Sequence, residues 1–128
     1  MTEIETHTIY ELAGGKPVFV RLVEDFYDRV AVDPILRPLF PADFQEPKER
    51  LALFLVQYFG GPATYSEQRG HPRLRMRHLP FRIGQRERDA WLGHMLAALV
   101  ESGISEAAQA AMRTYFEDAS AFMMNVTE

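Results

Sequence analysis

No cysteine occurs in the 128 residues, which removes disulfides, thiolate metal sites and covalent attachment of a prosthetic group through a C-x-x-C-H motif. There is no run of about 18 uncharged apolar residues, and no basic segment leading into an apolar one, so neither a membrane span nor a secretory leader is expected. A cytoplasmic location is the resulting expectation. No stretch alternates like a half-buried strand, and there is no internal repeat, low-complexity tract or linker. Excess positive charge is missing too: 14 Lys and Arg against 18 Asp and Glu give a net charge of −4, which argues against general nucleic-acid binding. The length and a hydrophobic content of 47% suit one domain, residues 1–128, with a substantial core.

What is present is helical periodicity punctuated by Gly and Pro. Residues 1–7 are polar and acidic and read as frayed, with His7 exposed and without a role. Thr8 and Glu11 have capping-box spacing for a short helix to Ala13, and Gly14-Gly15 stops it. From Lys16 to Ala31, Val18, Phe19, Leu22, Val23, Phe26, Tyr27 and Val30 form one apolar stripe. Asp33-Pro34 opens a proline-punctuated corner that Pro38 and Pro41 end, with Phe40 as its apolar anchor. A helix over about 46–59 puts Pro47, Leu51, Phe54, Leu55 and Tyr58 on one face and Arg50 on its flank, and Gly60-Gly61-Pro62 terminates it. Residues 62–71 read as a loop without regular structure, a length that usually signals function. The span 85–101 forms a helix with Trp91, His94, Met95 and Ala98 on one side and Leu92, Leu96 and Leu99 on the adjoining one. Ser105 caps a last helix, in which Met112, Tyr115, Phe116, Ala119, Phe122 and Met123 keep the period. The whole reads as all-α, with helices 16–31 and 46–59 facing the pair 85–101 and 104–125.

The stretch Gly60 to Trp91 is the part that solubility and core packing explain least well. Arg73, Arg75 and Arg77 alternate with Leu74 and Met76 and lead into His78, after which Leu79-Pro80-Phe81 must stop any helix. If Pro72 opens one or two helical turns over 72–78, Leu74 and His78 share a face. A neutral imidazole beside leucine, flanked by cations, suits an iron porphyrin with two propionates. On spacing alone, a surface helix ending in a solvated histidine is the commoner explanation. A tyrosine at Tyr27 and a tryptophan at Trp91 are likewise, by periodicity alone, ordinary core residues.

The runs Gly60-Gly61-Pro62, Tyr65 to His78, Pro80-Phe81-Arg82-Ile83 and Trp91, with Gly14-Gly15, Phe26-Tyr27, Phe40-Pro41 and Glu49-Arg50-Leu51 earlier, closely resemble the group II truncated haemoglobins. The resemblance extends over nearly the whole chain. It implies a two-over-two helical sandwich, a shortened globin fold, with haem b held non-covalently between helix 46–59 and segment 72–78. It makes His78 the proximal iron ligand, with its second ring nitrogen donating to a nearby backbone carbonyl. His7, His71 and His94 are set aside as ligands. On the other haem face the resemblance places Tyr27, Phe40, Pro47, Leu51 and Trp91. Tyr27 and Trp91 can donate hydrogen bonds to the partial negative charge that dioxygen takes on. Phe40 stands where a number of relatives have tyrosine, and Pro47 leaves no distal histidine. Arg50 and Arg77 match positions that address propionates, with Tyr65 as a further candidate, while Phe54, Leu74, Phe81 and Ile83 complete the pocket.

The implied activity is binding of dioxygen, carbon monoxide and nitric oxide, and of peroxide as a substrate, for oxygen, nitric oxide or peroxidase-like chemistry served by an unidentified reductase. Bulk oxygen transport fits less well with two donors that slow release. Two alternatives stay open: a haem-based sensor or electron-transfer protein, and a haem-free helical adaptor using the Arg69–Arg88 surface for an anionic partner. Monomer and homo-oligomer are both compatible with the sequence.

Overall fold

The structure is a computed structural model of the chain and describes residues 8–126. The segment expected to fray, 1–7 with His7, lies outside the described residues. Seven α-helices follow in order: α1 (Ile9–Ala13), α2 (Lys16–Ala31), α3 (Gln45–Tyr58), α4 (Thr64–Arg69), α5 (Leu74–His78), α6 (Gln85–Glu101) and α7 (Glu106–Phe122), with a 3₁₀ turn at Arg37–Leu39. The described residues contain no strand. Helix α2 packs on both α3 and α6, and α6 packs on α7, which makes the expected two-over-two sandwich.

Local chemistry explains the boundaries. Thr8 closes the capping box: its Oγ1 accepts from the amide of Glu11 and the Glu11 carboxylate accepts from the amide of Thr8, both at 3.1 Å. Ser105 caps α7 by accepting from the Ala108 amide at 3.3 Å. The α2 stripe is buried as its spacing predicts: Phe19, Leu22, Val23, Phe26, Tyr27 and Val30 meet Leu55, Met95, Leu99, Met112 and Phe116 in one core. No helix of the described chain is long and apolar enough to cross a membrane.

Four expectations need correction. The stretch 62–71 is not without structure, because α4 forms there and is fastened to α3 by a two-way clasp. Gln57 Nε2 donates to Ser66 Oγ at 2.7 Å, and the Ser66 amide donates to Gln57 Oε1 at 2.9 Å. In the proline corner the buried anchor is Leu36, at 2% exposure, while Phe40 is half-buried and Pro38 lies inside the 3₁₀ turn rather than ending it. Tyr58 and Phe122, assigned to inward stripes, are 54% and 61% exposed, because each sits at the last position of its helix where the chain turns away. Finally, Pro72 does not open the helix before His78. Arg73 takes a left-handed conformation, φ 50° and ψ 49°, and α5 starts after it at Leu74.

The Gly60-Gly61 stop is also a steric requirement. Gly60 has φ +105°, and a Cβ there would lie 2.6 Å from Cβ of Thr8, while one on Gly61 would lie 2.7 Å from Val56. Gly93, within α6, has open space around it. Gly60→Ala is therefore expected to lower stability by more than ~1 kcal/mol, whereas Gly93→Ala raises it by about 0.5–1 kcal/mol. Urea midpoints of the two variants check this, and equal shifts would contradict it.

Candidate functional site

A cleft of about 390 Å³ opens between α3, α5, α6 and α7, with Tyr27 of α2 and the corner residues Leu36, Leu39 and Phe40 closing one end. Every residue singled out in the sequence reaches it: Tyr27, Phe40, Pro47, Arg50, Leu51, Phe54, Tyr65, Leu74, Arg77, His78, Phe81, Ile83 and Trp91 all line its walls. Of the described histidines only His78 does so. His71 is exposed and its Nδ1 accepts from the Arg73 amide at 3.0 Å. His94 is turned to the opposite duty of pinning the proline corner, with Nε2 donating to Asp33 Oδ2 at 2.6 Å. That hydrogen bond is the main reason the Asp33 carboxyl is held below the usual aspartate value.

His78 is the last residue of α5, and its Nδ1 lies 2.6 Å from the carbonyl oxygen of Leu74 one turn earlier. A carbonyl can only accept, so Nδ1 carries the proton, and in the neutral imidazole the Nε2 lone pair is left for another partner. Helix α5 has no fully buried residue, and of its side chains Leu74 packs half-buried against the core. Polar ties add to that packing. The Asn125 carboxamide accepts from the Ile83 amide at 2.9 Å and donates to the carbonyls of Phe81, at 2.7 Å, and His78, at 3.3 Å. Arg75 donates to the carbonyl of Phe122 at 3.1 Å and lies 5.5 Å above its ring. Sequence reading missed Asn125, whose only signal is a polar residue just beyond the last helix.

Two residues with side-chain donors line the cleft from other helices. The side chains of Tyr27 and Trp91 make no hydrogen bond among the described residues, and neither polar atom is fully enclosed. Phe40 and Phe44 pack against the Tyr27 ring at 5.5 and 5.1 Å between centroids, and Phe26 and Phe116 hold Trp91 at 5.4 and 6.0 Å. Burial pushes the Tyr27 phenol up to about 12, with Arg50 pulling weakly the other way, so it remains a neutral donor. Tyr65 is buried, its ring edge-on to Phe54 at 5.7 Å.

Residues that the sequence did not assign to the site also line the cleft, among them Glu87, Arg88, Tyr115, Ser120 and Met123. Glu87 is tied by its capping bond from the Gly84 amide, 2.9 Å, and Arg88 by donation to Ser120 Oγ and the Glu117 carbonyl, both 3.0 Å. Several of the seven arginines between Arg69 and Arg88 are engaged within the chain. Arg69 meets Glu46 at 3.8 Å, Arg86 meets Glu87 at 3.4 Å, and Arg75 and Arg88 are committed to the carbonyls just named. Arg77 has no ion pair among the described residues, and Arg50 only a long one of 3.9 Å to Glu46.

The fold and the cleft define a small helical protein with a largely apolar cleft, on whose wall stands one of its described histidines. The bacterial-like globin family model matches residues 8–125. The chain is 41% identical over 116 residues to the group 2 truncated hemoglobin YjbI of Bacillus subtilis, covering 91% of this chain and 88% of that one. Among solved structures, the hemoglobin of Chloroflexus aurantiacus is 62% identical with a TM-score of 0.92, covering 94% of this chain and 99% of the other. The group II truncated hemoglobin of Bacillus anthracis is 36% identical with a TM-score of 0.92, covering 95% and 94%. The chain belongs to the bacterial-like globins, as a group II truncated haemoglobin.

The residues present fit a haem. Among the described residues no group of three or more His, Asp or Glu could hold a metal, and His78 is the one described histidine on the cleft wall. Leu51, Phe54, Leu74, Phe81 and Ile83 supply apolar walls, and exposed Arg77 with half-buried Arg50 stands where the cleft meets solvent.

Two outcomes follow. Asn125→Ala should speed amide exchange of residues 78–84 without altering that of α2, and uniform exchange would mean α5 is held some other way. Tyr27 and Tyr115 are both pushed up to about 12 from 10.0, mainly by burial. The folded state then binds more protons than the unfolded one between pH 10 and about 12, so stability falls with rising pH across that window. The tyrosinate absorbance step near pH 12 should shrink by about half in each of Tyr27→Phe and Tyr115→Phe and vanish only in the double variant.

Proposed function

We propose that the chain holds haem b non-covalently, with His78 as the single protein ligand to a five-coordinate iron, and that it binds dioxygen, carbon monoxide and nitric oxide there. The observation that carries this reading is the 2.6 Å contact between His78 Nδ1 and the Leu74 carbonyl at the wall of an apolar cleft. When bound, the haem supplies an iron that takes a diatomic ligand and exchanges charge with it. The chain's own residues do the rest. Arg50 and Arg77 answer the propionates with charge-assisted hydrogen bonds, and the Leu51, Phe54, Phe81 and Ile83 side chains exclude water from the ring. Tyr27 and Trp91 donate to a ligand that gains negative charge, each contributing ~1 kcal/mol or more in a site where water does not compete. Donors of that strength slow release, which favours chemistry on the bound ligand, with oxygen and nitric oxide or with peroxide, over bulk transport. A 39% identical haemoglobin of Bacillus subtilis is described as oxygen-avid, in keeping with such a pocket. A cytoplasmic single-domain protein served by a separate reductase completes the proposal.

The Soret spectrum of purified variants tests the ligand. His78→Ala should lose stable haem, while His71→Ala and His94→Ala keep it, and histidine-ligated haem persisting in His78→Ala would refute the assignment. Stopped-flow dissociation tests the donors: Trp91→Phe and Tyr27→Phe should each speed oxygen release, by about tenfold if ~1.4 kcal/mol is lost, and alter carbon monoxide release far less. Oxygen and carbon monoxide rates that change in parallel would make both residues simple packing.

A further inference from the structure

After Phe122 the chain leaves α7 and turns back across the segment that follows His78. Asn125 stands at that crossing and makes four hydrogen bonds to it. Its backbone amide donates to the Ile83 carbonyl at 2.8 Å while its Oδ1 accepts from the Ile83 amide at 2.9 Å, so Ile83 is held from both sides. Its Nδ2 donates to the carbonyls of Phe81, at 2.7 Å, and His78, at 3.3 Å. Only one orientation of a carboxamide satisfies an amide and two carbonyls at once, so this side chain has no second way to sit. The Val126 amide adds a long bond to the Ile83 carbonyl, 3.4 Å, and Arg75 reaches from α5 to the carbonyls of Phe122, 3.1 Å, and Met124, 3.4 Å. His78, Phe81, Ile83 and Met123 all line the cleft. The segment 123–126 therefore fastens one cleft wall to the end of a helix whose Met112 and Phe116 are fully buried.

We propose that Asn125 is a positioning residue for His78, and that its carboxamide sets how strong a metal ligand the imidazole is. The proposal rests on the haem reading above. A histidine whose Nδ1–H is shared with a carbonyl carries more electron density on Nε2 and is the more basic ligand. In this chain that carbonyl belongs to Leu74, at the other end of the same helix, so the 2.6 Å contact lasts only while the single turn between them keeps its shape. Five residues do not hold a helix on their own, and α5 is as fixed as its two ends. One end rests on the left-handed Arg73 and the other on Asn125. Without the carboxamide, the Phe81 amide at 3.0 Å still closes the turn on the His78 carbonyl, but the Phe81 carbonyl and the Ile83 amide lose their partner. The turn then loosens, Nδ1 draws away from the Leu74 carbonyl, and Nε2 becomes the poorer donor. Asn125 touches neither the cofactor nor its ligand, and acts through the backbone of α5 alone.

The test uses the haem-loaded protein and resonance Raman spectroscopy of its ferrous, ligand-free form. Asn125→Ala should move the iron–histidine stretching band to lower frequency and broaden it, and should speed haem transfer to an apoprotein acceptor roughly tenfold. Asn125→Asp keeps the acceptor for the Ile83 amide but not the donor, and should shift the band in the same direction. The C–O stretch of the carbon monoxide complex, which reports the field of Tyr27 and Trp91, should stay at the parental frequency in both variants. Ser105→Ala controls for lost stability alone: it removes the α7 cap and should leave the iron–histidine band where it is. A band unmoved in Asn125→Ala, or moved equally in Ser105→Ala, overturns the positioning role and spares the haem reading. A C–O stretch that moves together with the iron–histidine band also overturns it, since the change would then be a general loosening of the cleft. A parent without a Soret band overturns the haem reading instead. The positioning role is then read from the ¹⁵N shifts of the His78 ring, where Asn125→Ala should mix in the Nε2–H tautomer, and an unchanged tautomer overturns it.

Discussion

The carbonyl of Leu74 accepts a hydrogen bond from His78 Nδ1 at 2.6 Å, and the rest of the site depends on that contact. It fixes the imidazole in one tautomer and turns the other nitrogen's lone pair away from the helix. The contact exists only because Leu74 and His78 are one helical turn apart in a helix of five residues, too short to persist unaided. Three features stand in for length. Arg73 accepts a left-handed backbone to aim the turn, Asn125 ties down the exit, and Arg75 reaches across to the end of α7. The left-handed arginine costs ~1 kcal/mol or more, which the ties must offset.

A rigid sandwich supplies what α5 lacks. Phe19, Phe26, Met95, Leu99 and Phe116 are fully buried between the two helix pairs, so Tyr27 and Trp91 project from helices that cannot easily shift. Their aromatic neighbours leave each little freedom to rotate, and burial keeps the Tyr27 phenol protonated at any physiological pH. A donor fixed in this way is pre-oriented for whatever negative charge appears beside it, without the reorganisation that water would need. The His94–Asp33 bond serves the same end from a distance, because it anchors the corner that carries Phe40 and Leu36.

Helical periodicity made most of the fold legible. The limits of α2 and α6 follow directly from apolar spacing and from glycine, because those helices are long enough for burial to impose a period. Helix α4, with six residues, is too short to show one, and its stability comes from the Gln57–Ser66 clasp, a contact between residues nine apart that no local pattern announces. The cleft residues were legible chiefly through resemblance to a family, since spacing alone left His78 as a plausible surface histidine and Trp91 as a core one. The roles of Asn125, Arg88 and Ser120 were invisible for a different reason: they are set by tertiary hydrogen bonds spanning 29 to 47 residues.

The central claim is that a single imidazole, polarised by a backbone carbonyl, faces the cofactor. Proton NMR of the reduced, ligand-free protein with ¹⁵N-labelled histidine addresses it directly. The account predicts one far-downfield, slowly exchanging N–H coupled to nitrogen, assigned to His78 Nδ1 and close in space to Leu74. The same resonance arising from His71 or His94, or a His78 ring with its proton on Nε2, would contradict it.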